Sequence, residues 1–488
     1  MQLVRLDAYV SAQDHIGVND PRASAPARLI GTRAKWFSST VDVPISTEEA
    51  RRMNDALAQR AKQVERTSFA SLWSTTAEPG IAFPLLIGNA QADVAVVGAG
   101  YTGLSAALHL GECGASVIVL ESHEPGWGAS GRNGGQVIPG LKYDPPELLQ
   151  MFGGDLGDRI ADFVGQAPEL VFRLIERHGI VCDAYRCGWI QPAHNAAMEV
   201  VLRRRAESWM ARGANVEILD RARTVEYIGS DAYRAAWLDK RGGTLNPLSY
   251  ARGLARAAHV AGTRIYSASP VTRLAPDGSK GFVLTTPRGS VNARQVILAT
   301  NAYTTDLWPG VRQSIIPVHS FQVATTPLPD QVRRSILPHG QVCSDSRRLL
   351  LYFRIDESGR LVMGSGGTLG EPQSTLVFRH LKDAVRHLFP QVHATYEFHW
   401  YGRVAMTVDH LPHLHEPVSG ILTALGYNGR GIAMATAFGT LLARRAAGEA
   451  PNSLQIPITP VHRIPLHAFR RLYVGAARAY YRTRDMAS

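Results

Sequence analysis

Residues 93–121 read DVAVVGAGYTGLSAALHLGECGASVIVLE, a stretch with the glycine and acid spacing of a dinucleotide-binding βαβ unit. Residues 93–97 are a short β-branched apolar run, 104–111 have helical periodicity, and 116–120 are a second apolar strand. Between the strands Gly98, Gly100 and Gly103 form GxGxxG, and Glu121 follows the second strand. Gly98 permits the tight turn, Gly100 lets a pyrophosphate approach the backbone, and Gly103 allows helix to pack closely on strand. The helix N-terminus offers about half a positive charge to phosphate, and Glu121 stands where it can bind ribose hydroxyls. A lone GxGxxG is weak, because glycine-rich turns are common. Here strand, helix, strand and acid accompany it, so the chain is expected to hold an adenine dinucleotide.

The residues beyond this acid bear on the choice between flavin and nicotinamide. Residues 126–136 read GWGASGRNGGQ, a run of small residues suited to folding over an extended cofactor, with Ser130, Arg132 and Asn133 as donors. A simple nicotinamide enzyme has no need of such a run, although by itself it also fits a surface loop. A second glycine-rich junction lies near the C-terminus. Residues 421–425 are a short apolar strand, 426–432 read GYNGRGI, and a helix is predicted to about 447. No strand and acid follow, so this is not another dinucleotide unit. It either aims backbone N–H groups at an anion, such as a flavin's N1 and C2 carbonyl, or serves packing alone. The glycines at 364, 366, 367 and 370 meet Glu371 and Pro372 instead of a helix start, and no second nucleotide is assigned there.

At 488 residues and 45% apolar composition the chain can bury a large core, as one large two-domain enzyme or several domains. No apolar stretch approaches the roughly 18 residues of a membrane span, and no signal-peptide pattern opens the chain. A cytoplasmic protein without a membrane span is the expectation. Cys113, Cys182, Cys187 and Cys343 form no CxxC pair, so neither a metal site nor a disulfide framework is expected. The net charge is +11, but the basic clusters at 203–205 and 470–471 lack interleaved aromatics and read as solvated helix faces, with no nucleic-acid partner. Residues 1–66 are polar and unpatterned and read as an N-terminal extension. A helix-like segment over 54–66 makes Met53 a candidate native start.

In the middle of the chain, helices are predicted over 145–178, 198–211 and 246–261, the last opened by Asn246 and Pro247. Strands are predicted over 185–191, 235–239, 263–274, 282–286 and 291–300, and a hairpin from 349–354 and 360–364 turning on 356–359. With these motifs in hand, the chain resembles the FAD-dependent amine and amino-acid oxidoreductases of the D-amino acid oxidase superfamily, over roughly residues 67–485. The runs that carry the resemblance are SFASLW at 68–73, the 93–110 run, GASGRNGGQ at 128–136, GGTLNPLSYARGLARAA at 242–258, ILATNAYT at 297–304, YFRIDESGRLVMGSGG at 352–367, WYGRVAMTVDHLPH at 400–413 and GYNGRGIAMAT at 426–436.

The resemblance implies an α/β (α+β) fold, a Rossmann-like FAD-binding domain with an interleaved substrate domain on a mostly antiparallel sheet. FAD-binding segments would span 67–145, 241–315 and 401–450, substrate segments 146–240 and 316–400, and a tail 451–488. Implied FAD contacts are Gly98, Gly100, Gly103, Glu121, Ser130, Arg132, Asn133, Gly134, Gly135, Val271, Gly429, Gly431 and Ile432. The implied reaction oxidises the carbon beside the nitrogen of a gamma-glutamylputrescine-like amine, with oxygen or another acceptor taking the electrons. A different secondary amine or amino acid, sarcosine-like or a D-amino acid, remains an alternative, and a non-catalytic or RNA-modifying flavoprotein a distant one. No strong protein base is required, and no catalytic residue is fixed. Pocket candidates are Arg354 as a clamp for a distal carboxylate, Tyr352 and Trp400 as aromatic walls, and the histidines His319 and His410, both read as loop residues. Cys343 is a remote candidate for covalent flavin attachment. Asn246 departs from the histidine frequent in the putrescine enzymes, which leaves the exact amine open.

Overall fold

The computed structural model describes residues 70–278, 281–366, 369–372 and 374–487. The expectations for residues 1–66 and for a start at Met53 fall outside these, as does Gly367.

The βαβ unit forms as its sequence predicts, with a strand Gly88–Val97, a helix Tyr101–Glu112 and a strand Val117–Leu120. Parallel strands must be buried on both faces, and here the alternation serves both. Val94 and Val96 enter one core with Leu104 and Leu108 from the helix, while Ala95 and Val97 enter another with Leu120 and Leu298. The sheet runs in the order His413–Val418, Ile421–Leu425, Gly289–Leu298, Gly88–Val97, Val117–Leu120, Arg264–Tyr266, with a meander of Arg273–Pro276 and Phe282–Thr285 beside Gly289–Leu298. The helix Gly431–Ala446 packs on Tyr101–Glu112 at close range. A Cβ at Gly439 would stand 2.5 Å from Ser105 Cβ, and Ser105 Oγ donates to Thr436 O at 2.7 Å.

A second eight-stranded sheet, mostly antiparallel, runs in the order Tyr396–Met406, Ile316–Thr325, Leu361–Gly366, Leu351–Ile355, Val342–Ser344, Trp189–Ala193, Ala235–Asp239, Val216–Leu219. Successive side chains leave opposite faces of a strand. Phe321, Val323, Phe353 and Met363 therefore fill one core with Phe378, Leu381 and Phe389. The alternate residues Ala324, Val362 and Trp400 pack with Leu72 and Trp73.

Several boundaries differ from the sequence expectation. The strand expected over 263–274 is split, because Ala268 takes a left-handed backbone at φ 48° and Ala268 N and Ser269 N turn to His123 O and Glu121 O. The strand expected over 185–191 begins at Trp189, after Gly188 at φ 85°. The strand Ile316–Thr325 has no counterpart in the sequence reading, since Ser320 and Gln322 interrupt its apolar pattern. His319 consequently lies on a strand, not in a loop, whereas His410 lies in a turn at φ 57°. The arginines 470–471 open a helix Arg470–Ala487 within the expected tail.

Two consequences are testable. A Cβ at Gly103 would meet the backbone oxygen of Gly98 at 2.0 Å, so Gly103→Ala is expected to cost about 3 kcal/mol or more, read from chemical denaturation. His415 is buried with Nδ1–H donating to Thr459 O, and burial pushes its pKa from 6.5 down to about 4. Burial does the same to His399 and His410. Between those values the unfolded chain binds more protons than the folded one, so stability falls as pH is lowered from about 6.5 toward 4. Denaturation midpoints across that window should show the fall, and His415→Gln should flatten part of it.

Candidate cofactor and active site

The SGRNGG run, residues 130–135, begins within a short 3-10 turn at Ala129–Gly131 and has few backbone bonds of its own. Its carbonyls are instead taken up by side chains from distant elements. Tyr101 Oη donates to Ser130 O at 2.5 Å. Trp400 Nε1 and Gln322 Nε2 both donate to Arg132 O, at 3.0 and 2.5 Å. Trp73 Nε1 donates to Asn133 O at 2.7 Å. Thr244 Oγ1, the Leu245 amide and, at 3.4 Å, Arg354 Nη1 converge on Gly135 O. Ser130 Oγ in turn accepts the amide of Tyr101, the first residue of the dinucleotide helix, at 3.1 Å. A buried carbonyl must find a donor, and these satisfy one after another.

The sequence candidates take distinct places around this loop. Arg354 is buried, its Nη1 also reaching Leu245 O at 3.1 Å and its guanidinium lying 5.0 Å over the Trp73 ring. Its Nη1 thus bonds main-chain carbonyls, while its buried Nε has no hydrogen-bond partner among the described residues. Desolvation pulls its pKa down to about 10, against the opposing pull of Asp356, so it keeps its charge at neutral pH. The Tyr352 ring lies between Gly134 and Gly364, where added Cβ atoms would stand 2.9 and 2.2 Å from it, and its hydroxyl bonds Ser320 Oγ at 2.7 Å. Trp400 is fully buried, edge-on to Trp73.

His319 is edge-on to Tyr401, and strand alternation puts it on the opposite sheet face from Gln322 and Trp400. It is thus separated from the loop. Cys343 is fully buried in the core with Phe353 and Met363, where burial pushes its thiol far up and disfavours the reactive thiolate. Asn246 is the N-cap of Pro247–Val260, accepting from Ser249 N and donating to Thr76 Oγ1. Its departure from the family pattern is thereby given a structural use.

Glu121 is buried at the end of the second strand, with Oε2 accepting from Ala99 N at 2.8 Å and Oε1 from His123 N at 3.0 Å. Val271 follows the segment that bonds Glu121 O and packs partly buried against the same core. At the other junction, Asn301 Oδ1 accepts from Gly426 N and Asn428 ties the loop to Thr407. Gly429 has φ 91°, Ile432 is buried, and added Cβ atoms at Gly429 and Gly431 would meet nothing within 4 Å.

These residues fit an extended dinucleotide. The helix Gly431–Ala446 begins without a capping side chain on Arg430, and Tyr101–Glu112 without one on Gly100 although Ser130 Oγ takes the Tyr101 amide, which leaves two positive helix ends for anionic groups. Gly100 leaves no room for a side chain, since its Cβ would stand 2.9 Å from Ser130 Oγ. Gln322 Oε1 is buried beside Gly134 without a hydrogen-bond partner among the described residues, an acceptor still to be used. Arg132 lies 4.6 Å over Trp127, which stacks on His123.

Sequence reasoning missed Trp73, Gln322 and Tyr101 as loop holders. Trp73 lies 60 residues from Asn133, and Gln322 190 residues from Arg132, so no local spacing links them. Trp73→Phe keeps an aromatic ring, though a smaller one, and removes one donor to a part-buried carbonyl, which should weaken FAD retention about tenfold. Reconstitution of the apoprotein followed by flavin fluorescence measures it.

The chain matches the family model of FAD dependent oxidoreductases (DAO) over residues 93–445. It is 32% identical to gamma-glutamylputrescine oxidoreductase of Escherichia coli (strain K12) over 425 residues, covering 86% of this chain and 99% of the relative. It is 24% identical to glycine oxidase of Pseudomonas aeruginosa over 387 residues, covering 76% and 99%. Among solved structures, glycine oxidase from Geobacillus kaustophilus superposes with a TM-score of 0.63 at 24% identity, over 74% of this chain and 96% of that one. The chain therefore belongs to the FAD dependent oxidoreductase family, as an FAD-dependent amine or amino acid oxidoreductase.

Proposed function

We propose that the substrate is an amine of the gamma-glutamylputrescine type, oxidised at the carbon beside its nitrogen and released as an imine that water converts to aldehyde and ammonia. The observation that carries this reading is the likeness to gamma-glutamylputrescine oxidoreductase over nearly its whole length. In this reading the first sheet carries the cofactor and the second covers the reacting face, with FAD supplying the hydride acceptor when bound.

The chain's own residues then have two tasks. The loop holders fix Arg132, Asn133 and Gly134 against the second sheet, which sets where a bound flavin meets a substrate. Tyr352, with the buried Trp400 and Trp73 behind the loop, puts aromatic rings and no carboxylate beside it, an environment that excludes water and favours an amine in its neutral, oxidisable form. No general base is assigned, because a neutral amine needs none for loss of hydride. A second reading is a smaller amine or amino acid, favoured by the likeness to glycine oxidase and, at 25% identity, to sarcosine oxidase subunit beta of Rhodobacter capsulatus. The electron acceptor is oxygen or a carrier.

Anaerobic addition of gamma-glutamylputrescine to the yellow holoprotein should bleach the oxidised-flavin bands within the time of mixing and reading. Bleaching by glycine or sarcosine but not by the gamma-glutamyl amine would favour the second reading.

A further inference from the structure

From Ala450 to Arg484 the sequence contains no aspartate or glutamate and six arginines, which is more than half of the net charge of +11. The structure gives this segment a shape. Ile464 N donates to Gln313 O at 2.8 Å, and buried His467 donates from Nε2 to Ile315 O at 2.9 Å. These two bonds fix the stretch that leads into the helix Arg470–Ala487.

On that stretch and the first turn of the helix three large apolar residues stand in solvent, Leu466 and Leu472 at 72% exposure and Phe469 at 58%. Arg463 and Arg471, both exposed, flank them. Leu466 is also held at φ 53°, a left-handed backbone that disfavours a bulky side chain. Strain and apolar exposure at one residue are both unfavourable unless the surface is used. The sequence reading of 470–471 as a merely solvated face leaves these leucines unexplained.

We propose that this C-terminal segment docks on an anionic lipid surface. Arginines meet headgroup phosphates while Leu466, Phe469 and Leu472 enter the boundary of the acyl region. Nucleic acid would answer the charge but gives leucine no sink. No helix among the described residues is long and apolar enough to cross a membrane, so the contact lies on the surface.

The test is co-sedimentation of the FAD-loaded full-length protein with vesicles of equal phosphatidylglycerol and phosphatidylcholine, against vesicles of phosphatidylcholine alone. We expect about tenfold or more protein in the anionic pellet, falling as salt is raised. Replacing Leu466, Phe469 and Leu472 together by Ser should abolish most of this while the flavin spectrum is unchanged, and the pair Arg463→Gln and Arg471→Gln should weaken it several-fold. Equal binding to both vesicles, binding to neither, or retention on polyuridylate without vesicle binding would overturn the proposal. So would a folded triple variant that pellets like the native protein.

Discussion

The backbone carbonyls of residues 130–135 need donors, and the way this need is met ties the molecule together. Within the loop Asn133 Nδ2 bonds Ser130 O and Ala129 O, but the carbonyls of Arg132, Asn133 and Gly135 depend on outside donors, and left unbonded in a buried place each costs about 1–3 kcal/mol. Here the donors arrive from every part of the fold. Tyr101 comes from the dinucleotide helix, Trp73 from the short helix Leu72–Thr76, Gln322 and Trp400 from neighbouring strands of the second sheet, and Arg354 from a third. The loop is therefore the joint between the two sheets. Its position is set by indole, phenol and guanidinium groups too rigid or too well packed to follow it if it moved.

The placing of two arginines, Arg354 buried and Arg430 half-buried, follows from the same requirement. Arg354 lies against Trp73, and Arg430, just ahead of the helix Gly431–Ala446, lies 5.4 Å over Trp189 with Nη1 donating to Pro139 O. Desolvation pulls each pKa to about 10, which is still far above neutrality, so both stay charged. The charge of Arg354 stands beside Gly135 of the loop, and that of Arg430 at the start of the helix Gly431–Ala446, where it adds to the helix end as an attraction for anionic groups. Carbonyl bonding and aromatic stacking offset the loss of water.

The second sheet divides its labour by parity. Phe321, Val323, Phe353 and Met363 make a dry core on one face, and Gln322, Tyr352, Arg354 and Trp400 meet the loop on the other. A one-residue slip would exchange the two sets, so the core that specifies the register also specifies the site. Separation of His319 from Tyr352 and Trp400 is a direct result.

The sequence by itself determined whatever depends on near neighbours. The βαβ unit rests on apolar alternation, helical period and glycine spacing within 29 residues, and each of these acts through local backbone geometry. Asn246 and Pro247 as a helix start, and the turn at residues 356–359, are local in the same way. Only the tertiary structure decided who holds the loop, which sheet face carries His319, and that Arg354 bonds main-chain carbonyls. Those outcomes turn on pairs such as Arg132 with Trp400, 268 residues apart. Such contacts depend on how two sheets come together, and no period or spacing along the chain encodes which donor will reach which carbonyl.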